Sequence, residues 1–405
     1  MKIQTLRNLV IVGLLLGGLA YASNWMYSAS VEKQIQAIAL NGISGYTISM
    51  DDVDYDFFSQ QLDLDRIEIR RPDGLLIKAH HLTYRGSLSM LTEAVRHLSL
   101  DRLDGEFDLV VDHFSVGELA ESIYQNAWID HIHLRGENVG ILNREGEFPR
   151  DASIRLASDI LGANFVIVNS LLPESELHQA VVINQWTQSL ESHPESIDLM
   201  VDIHDFAFVE YASDEEDTLS FGFSAMRSTA SYGGYENIGS LFPVNSLSEA
   251  LHLFPGESFP QGSAFDKAFS VDKLFVKMHE DREDDFAWVS LLNPIEGVDI
   301  QSQQHFADGD FHVSSSLHVP KLGSYDITIH AESPEDPSQF SLDAWHETLA
   351  VEFKGIDLSP TAHHNLSKLV HRYESPRENE LTYNGTMTWG QYGELYTIVT
   401  QQDSL

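Results

Sequence analysis

Hydrophobic residues along the chain follow two periods, and the change between them comes near residue 46. Val31, Ile35, Ile38 and Ala39 recur at the spacing of one helix face. From Tyr46 onward, apolar and polar residues alternate, which is the period of a half-buried β-strand. The pattern therefore predicts a mainly β body that follows an N-terminal helix.

Strand and helix signals alternate unevenly through the rest of the chain. The clearest predicted strands are Phe269–Met278, Phe286–Leu292, Phe311–Val319, Ser324–Ala331, Ala350–Ile356, Leu381–Trp389 and Tyr392–Thr400. Amphipathic spacing predicts a few helices at Leu88–His97, Val116–Asn126, Pro173–Leu190, Ser246–Phe254 and Pro360–Tyr373. The fold class predicted is therefore mainly β with minor α.

A short unit recurs along the chain, in the order apolar, Asp, any residue, apolar, any residue, apolar. It occupies residues 64–69, 111–116, 129–134 and 271–276. Two apolar residues three positions apart break the alternation, which predicts a strand that restarts after a kink or bulge. Repetition of the unit predicts stacked, similar layers in an elongated, bent antiparallel sheet.

The first 27 residues have the layout of an export signal. Lys2 and Arg7 precede an apolar run that starts at Leu9, and the positive-inside bias keeps these cations in the cytoplasm. Cleavage after Ala22 would release the body into the periplasm, whereas the stretch from Leu9 to Tyr27 is long enough for a retained single-pass anchor. We favour the anchor, whose predicted membrane residues are Leu9, Val10, Ile11, Val12, Leu14, Leu15, Leu16, Leu19, Trp25 and Tyr27.

Composition narrows the classes of partner and chemistry. The chain has 24 Lys and Arg against 62 Asp and Glu, a formal net charge of −38, so nucleic acid is excluded as a predicted partner. There are no cysteines, which removes disulfides, thiolate metal sites and cysteine nucleophiles. Shifts in pattern divide the chain into an anchor at 1–27, a β-rich region at 28–188, a loop- and helix-containing middle at 189–265 and a second β-rich region at 266–405.

The first hundred residues resemble the AsmA-like and YdgA-like proteins of the bacterial envelope. The resemblance is carried by residues 45–49, 53–58 and 62–69, and by the Pro72-Asp73-Gly74 turn with residues 77–79 after it. It implies an inner-membrane anchor and a periplasmic body built as a repeating, bent β-sheet. It also implies an apolar concave side suited to acyl chains, and it supplies no active-site residues.

Motifs that could bind metal are incomplete. Asp52, Asp54 and Asp56 start like a calcium loop, but its sixth and twelfth positions are Phe57 and Asp63. We therefore expect exposed carboxylates on one strand face. The paired histidines, which are predicted to be surface residues, are His80 with His81, His131 with His133, His363 with His364, and His364 with His371.

Motifs for catalysis are also missing. His346-Glu347 begins like a zincin helix, but residue 350 is Ala, and the sequence contains no nucleophile elbow and no phosphate-binding glycine loop. No catalytic, cofactor-binding or metal-binding residue is predicted. The predicted function is a non-enzymatic, inner-membrane-anchored periplasmic protein that handles lipid acyl chains. The alternatives are a scaffold for other envelope proteins and a periplasmic hydrolase.

Overall fold

The structure is a computed structural model. It describes residues 27–37, 47–70, 74–89, 105–119, 123–138, 154–169, 177–192, 196–211, 217–233, 264–278, 295–307, 310–320, 322–332, 350–369 and 377–386. Structural statements below concern these residues.

Helix α1 spans residues 27–37 and helix α2 spans Pro360–Leu369. The first eight strands are β1 (Thr47–Ser49), β2 (Asp52–Asp56), β3 (Gln61–Arg70), β4 (Leu76–Gly86), β5 (Glu106–Leu119), β6 (Ile123–Glu137), β7 (Ile154–Asn169) and β8 (Leu177–Ser192). The next eight are β9 (Ser196–Tyr211), β10 (Asp217–Gly233), β11 (Ala264–Met278), β12 (Ile295–Ala307), β13 (Asp310–Val319), β14 (Gly323–Glu332), β15 (Ala350–Ile356) and β16 (Leu381–Thr386).

All strands belong to one antiparallel sheet. Each strand from β3 to β16 pairs with its neighbours in the sequence, while β1 and β2 both pair with β3. The prediction of a mainly β, antiparallel fold is confirmed. The repeated units lie on β3, β5, β6 and β11 of this one sheet, and their arrangement as stacked, similar layers stays a prediction. The elongated and bent outline stays a prediction.

A line of unpaired residues crosses the sheet, which we call the seam. Each strand from β3 to β11 has one residue that pairs with neither adjacent strand, because the ladder skips it on both sides. The seam residues are Arg66, His80, His113, Asp130, Gly162, Asn184, Asp205, Ser224 and Lys273. All four repeated units identified in the sequence lie on it, so the predicted interruption of those strands is confirmed.

The backbone at the seam differs between odd- and even-numbered strands. Arg66, His113 and Lys273 have φ of 51°, 49° and 53°, Asp205 has 50°, and Gly162 has 62°. These five lie on β3, β5, β11, β9 and β7, whereas the seam residues of the even strands are not among the described residues with positive φ. One left-handed residue in every second strand kinks that strand locally, while the pairs on the two sides of the seam keep the same register from β3 to β11.

Apolar residues on both sides of the seam share one face of the sheet. The row on one side follows direct cross-strand pairs through Val53, Leu64, Leu82, Val111, Ile132, Ile160, Trp186, Ile203, Met226, Val271, Ile300, Leu317 and Tyr325. The row on the other side contains Ile67, Ala79, Phe114, Ile129, Ala163, Ile183, Phe206, Phe223, Leu274 and Val298. The two rows pack against each other in shared clusters. We call this surface the apolar face.

Helices contact the sheet near its two ends. Val31 of α1 is buried with Val53, Tyr55 and Leu62 of the first strands. In α2, the Ser359 side chain accepts a hydrogen bond from the Ala362 amide at 3.2 Å, which is an N-cap, and Leu366 is fully buried. Both helices were predicted, α1 by its apolar spacing and α2 by the segment starting at Pro360.

Two other predicted helices are wrong. Val116–Asn126 falls in β5 and β6 with their connection, and most of Pro173–Leu190 is β8. In β8 the seam adds one residue between Ile183 and Trp186, so strand residues on one face acquire helix-like spacing. Ser246–Phe254 lies outside the described residues, as does Leu88–His97 beyond residue 89.

The predicted strands in the second half are confirmed wherever the structure describes them, namely in β11, β13, β14, β15 and β16. Phe286–Leu292, Tyr392–Thr400 and residues 387–389 lie outside the described residues. The sheet continues without interruption from region 28–188 through 189–265 into 266–405, and the division into regions stays a prediction.

The predicted anchor falls almost entirely outside the described residues, which begin at Tyr27. Neither of the helices that the structure describes is long and apolar enough to cross a membrane. The anchor and the periplasmic location stay predictions.

Candidate functional site

The middle of the apolar face, from β6 to β12, carries apolar residues that no described helix or second sheet covers. Ile132, Ile160, Trp186, Ile203 and Met226 are only half-buried there. Neither described helix packs on them, and no second sheet is present among the described strands. From β3 to β13 the row crosses ten strand spacings of about 4.8 Å, so it extends for about 48 Å along the sheet.

Aromatic rings stiffen this surface on one side of the seam. Phe206 stacks on Phe223 with ring centroids 5.0 Å apart and an interplanar angle of 12°. Phe208 stacks on Phe221 at 5.0 Å, and Phe206 lies 5.7 Å from Phe221. The four rings therefore form one apolar platform on β9 and β10, and such rings offer a large contact area with few rotatable bonds.

Buried polar atoms interrupt the apolar face at three places. Ser158 Oγ, Trp186 Nε1 and Gln304 Oε1 are shielded from solvent and have no hydrogen-bond partner among the described residues. A buried polar atom without a partner costs about 1–3 kcal/mol, so each is expected to have a role.

Lys267 is a cation on the apolar side of β11. Lys267 shares this face with Phe265, Phe269 and Val271, which are spaced by two along the strand. Its Nζ lies 4.8 Å from the centroid of the Phe265 ring. Burial lowers the pKa of Lys267 to about 8 from an ordinary value of 10.5. Gln304, whose Oε1 is one of the three unpartnered atoms, is directly opposite Lys267 on β12.

The other face of the sheet is polar, and Asp–His pairs recur across its strands. His81 pairs with Asp65 at 2.7 Å, and His131 pairs with Asp112 at the same distance. Further pairs join His133 to Asp108 at 3.1 Å and His305 to Asp266 at 2.6 Å. Each pair is at least partly exposed, so this face is solvated and suits an acidic protein in water.

The predicted histidine pairs do not converge on a metal site. His131 and His133 share the polar face as predicted, with ring centroids 6.4 Å apart, but each ring pairs with its own aspartate. His80 is a seam residue whose ring lies 5.0 Å from that of His113. In the part of the chain that the structure describes, no group of three or more His, Cys, Asp or Glu could hold a metal ion.

The other predicted positions that the structure describes lie on β2 and α2. Asp52, Asp54 and Asp56 are exposed on one face of β2, as expected of carboxylates that form no calcium loop. His363 and His364 lie in α2, whereas His346 and His371 lie outside the described residues.

A cavity of about 510 Å³ opens on the polar face between β8 and β13. It contains the His305–Asp266 pair, with Ser231 directly opposite Asp266. His305 forms its 2.6 Å hydrogen bond with Asp266, and no described serine hydroxyl bonds to its ring. The described residues of this cavity therefore do not form a Ser-His-Asp relay around His305. The predicted absence of enzymatic activity stays a prediction.

The polar face also carries exposed apolar side chains at its centre. Trp128, Leu161 and Val182 have relative exposures of 39%, 36% and 41%. Trp128 and Val182 flank the same residue, Asn164, on neighbouring strands. We call these three residues the outer patch.

Comparisons with known protein families, with curated proteins and with solved structures found no match. The resemblance to AsmA-like and YdgA-like proteins therefore stays a prediction.

No residue of the apolar face was predicted as a site, although Phe221 and Phe223 stand out at strand spacing in the sequence. The signal that could have found the face is the apolar pair three positions apart, such as Ile183 with Trp186 or Ile203 with Phe206. It occurs on every strand from β3 to β11, whether or not an Asp follows the first apolar residue.

Proposed function

We propose that the chain binds lipid acyl chains along its apolar face, as a non-enzymatic protein of the bacterial cell envelope. The observation that carries the proposal is the row of half-buried apolar residues from Ile132 to Met226, which no described element covers. Each methylene group that an acyl chain buries there is worth about 0.8 kcal/mol.

The length of the face supports a ligand of acyl-chain dimensions. The hydrocarbon core of a bilayer is about 30 Å thick and contains two leaflets, so one acyl chain is about 15 Å long. The apolar row, at about 48 Å along the sheet, could hold about three chains end to end. The predicted anchor at residues 9–27 would keep this surface next to a supply of lipid.

A cation on the apolar face supports an amphiphile rather than a pure hydrocarbon. Lys267, beside the Phe265 ring, could pair with an anionic head group. Lys267 lies among apolar neighbours, where a polar contact fixes the orientation of a ligand that the apolar contacts hold.

Photo-cross-linking tests the proposal on the full chain in mild detergent. A phospholipid whose acyl chain ends in a diazirine is incubated with the protein, irradiated and mapped by peptide mass spectrometry. We expect adducts on β6 to β12, at side chains of the apolar face. Adducts confined to residues 1–27, or spread equally over both faces, would overturn the proposal.

A matched pair of variants on β9 tests whether binding depends on the apolar face or on the strand as a whole. Ile203→Lys places a charge on the apolar face of β9, whereas Met200→Lys places it on the polar face of the same strand. Binding an acyl chain beside a buried charge is unfavourable, so we expect Ile203→Lys to lose most adducts on β8 to β10. Met200→Lys should keep them. Equal loss in both variants would contradict a face-specific site.

A second candidate function is an interaction scaffold, and the outer patch favours it. Trp128, Leu161 and Val182 form a small apolar surface within a polar face, the arrangement expected of a protein-contact site. A photoreactive amino acid at position 182 should then give one discrete protein adduct in cells. That adduct should disappear with Trp128→Ser. The same residue introduced at exposed Lys354 on β15 is the control. Adducts at neither position would exclude the scaffold function for this patch.

A further inference from the structure

Three exposed aromatic rings cluster at the β1–β3 edge of the sheet, beside α1. Tyr27 is the first described residue of α1, and Phe57 and Phe58 lie in the turn between β2 and β3. Their relative exposures are 49%, 42% and 63%. The Tyr27 and Phe57 rings meet edge to face at 4.8 Å, and the Phe57 and Phe58 rings at 5.9 Å. We call these residues the aromatic cluster.

The turn holds the cluster in an ordered position. The Phe58 amide donates a hydrogen bond to Asp56 Oδ1 at 2.8 Å, which fixes the chain direction after β2. Tyr27 also packs 6.2 Å from Tyr55, whose own side chain is buried in the core under α1. Two of the three rings are therefore attached to separate elements and still converge on one surface.

The position of the cluster in the chain indicates what the rings contact. Residue 27 follows the apolar segment that starts at Leu9, which the sequence predicts to cross the bilayer. Aromatic rings, Tyr and Trp above all, are enriched at the level of lipid head groups, where one end of the side chain is apolar and the other is wet. The cluster lies at the point where the chain would leave the membrane.

Charge at this edge indicates which lipid surface fits. Asp52, Asp54 and Asp56 are exposed on β2 beside the cluster. These carboxylates would be repelled by anionic head groups. Contact through ring insertion into a zwitterionic interface meets no such penalty, and the tether would supply a high local concentration of bilayer.

We propose that Tyr27, Phe57 and Phe58 insert into the interfacial layer of the bilayer and seat the β1–β3 edge of the sheet on the membrane. The inference rests on the anchored location in the proposed function. It adds a second contact with the lipid surface and a fixed orientation, in which the apolar face starts at the bilayer and leads away from it.

The absence of cysteine allows one spin label to be placed without background. Ser59→Cys is the labelling site because Ser59 is exposed, follows Phe58 and leaves all three rings intact. The full chain is reconstituted into phosphatidylcholine vesicles, and the accessibility of the nitroxide to oxygen and to a water-soluble nickel chelate is measured. Lys354→Cys, near the opposite end of the sheet, is the control.

We expect the label at position 59 to be reached by oxygen and to be several-fold less accessible to the nickel chelate than the label at position 354. Adding Phe57→Ser and Phe58→Ser to Ser59→Cys should return the label to water. A label at 59 that matches the control would overturn the proposal. So would failure of the chain to float with the vesicles, or shielding from both reagents, which indicates protein contact.

These outcomes can be distinguished from failure of acyl-chain binding. If the chain gives no lipid adducts on β6 to β12 but the label at position 59 is shielded in vesicles, the aromatic cluster inserts into the bilayer and the acyl-chain site is absent. If adducts form on β6 to β12 and the label at position 59 is in water, the acyl-chain site is present and the aromatic cluster does not insert.

Discussion

The C-terminal end of the sheet and its middle use the same alternation of residues and form different surfaces. On β14 and β15, Ile327, Ile329 and Phe353 are 6%, 2% and 1% exposed, in strict alternation with exposed neighbours. On β6 to β10 the corresponding residues, such as Ile203, are half-buried. The difference lies in packing above the strands, because Leu358, Ala362 and Leu366 are buried in and before α2.

A glycine on β15 makes room for the residues that pack over the end strands. Gly355 pairs with Tyr325 in the apolar row, and a Cβ at this position would lie 2.9 Å from Leu358 Cδ1. The missing side chain leaves room for Leu358 to fold over the strand. Strands of the middle carry bulky residues at the same row position, including Trp186 and Met226. Leu358 thus packs over the apolar row at this end of the sheet, whereas no described element covers the same row in the middle.

The largest effect expected from this comparison is on packing. Ile329→Ala removes a side chain from a closed core and should lower the free energy of unfolding by about 3 kcal/mol. Ile203→Ala removes the same atoms from a half-buried position and should cost about 1 kcal/mol. Urea denaturation of the full chain in detergent, with local opening followed by hydrogen exchange, measures both. Equal losses would contradict the distinction between end and middle.

A smaller effect is expected from the cation in the middle. Because burial lowers the pKa of Lys267 to about 8, the unfolded chain binds more protons than the folded one between pH 8 and 10.5. The charge on Lys267 therefore lowers the free energy of unfolding by its full amount below pH 8. The free energy of unfolding then rises as the pH rises toward 10.5. We expect Lys267→Met to gain about 2 kcal/mol at pH 7.

That gain should vanish near pH 11. Lys354→Met, at an exposed position on β15, is the control and should change stability little at either pH. If Lys267→Met shows the same stability difference from the native chain at pH 7 and at pH 11, the charge on Lys267 is not what destabilises the fold.

The smallest effect is expected on the polar face. Asp112 and His131 are 39% and 33% exposed and lie 2.7 Å apart. An exposed ion pair contributes about 0.2–1 kcal/mol and weakens with salt. A double-mutant cycle with Asp112→Asn and His131→Gln should give a coupling energy in this range at low salt and near zero at 1 M salt. A coupling that persists at high salt would show that the polar face is less solvated than its exposure indicates.

The sequence alone predicts the sheet better than it predicts the site. Strands such as β15 are predicted correctly because apolar and polar residues alternate strictly along them. The sequence of β8 instead predicts a helix, because the seam inserts a residue between Ile183 and Trp186. The left-handed residues Arg66, His113 and Lys273 could be located from the repeated unit. The sequence does not predict which residues face an uncovered surface, because burial there depends on contacts between segments that are distant in sequence.

The seam has a consequence for how such a chain can change in length. Seam residues with positive φ occur on β3, β5, β7, β9 and β11 and not on the even strands between them, so the hairpin of two strands is the smallest complete unit of the seam. Gain or loss of one hairpin would preserve the seam and the continuity of both apolar rows, because each unit contacts only its neighbours. The apolar face would therefore grow or shrink in steps of two strands, which is about 10 Å along the sheet.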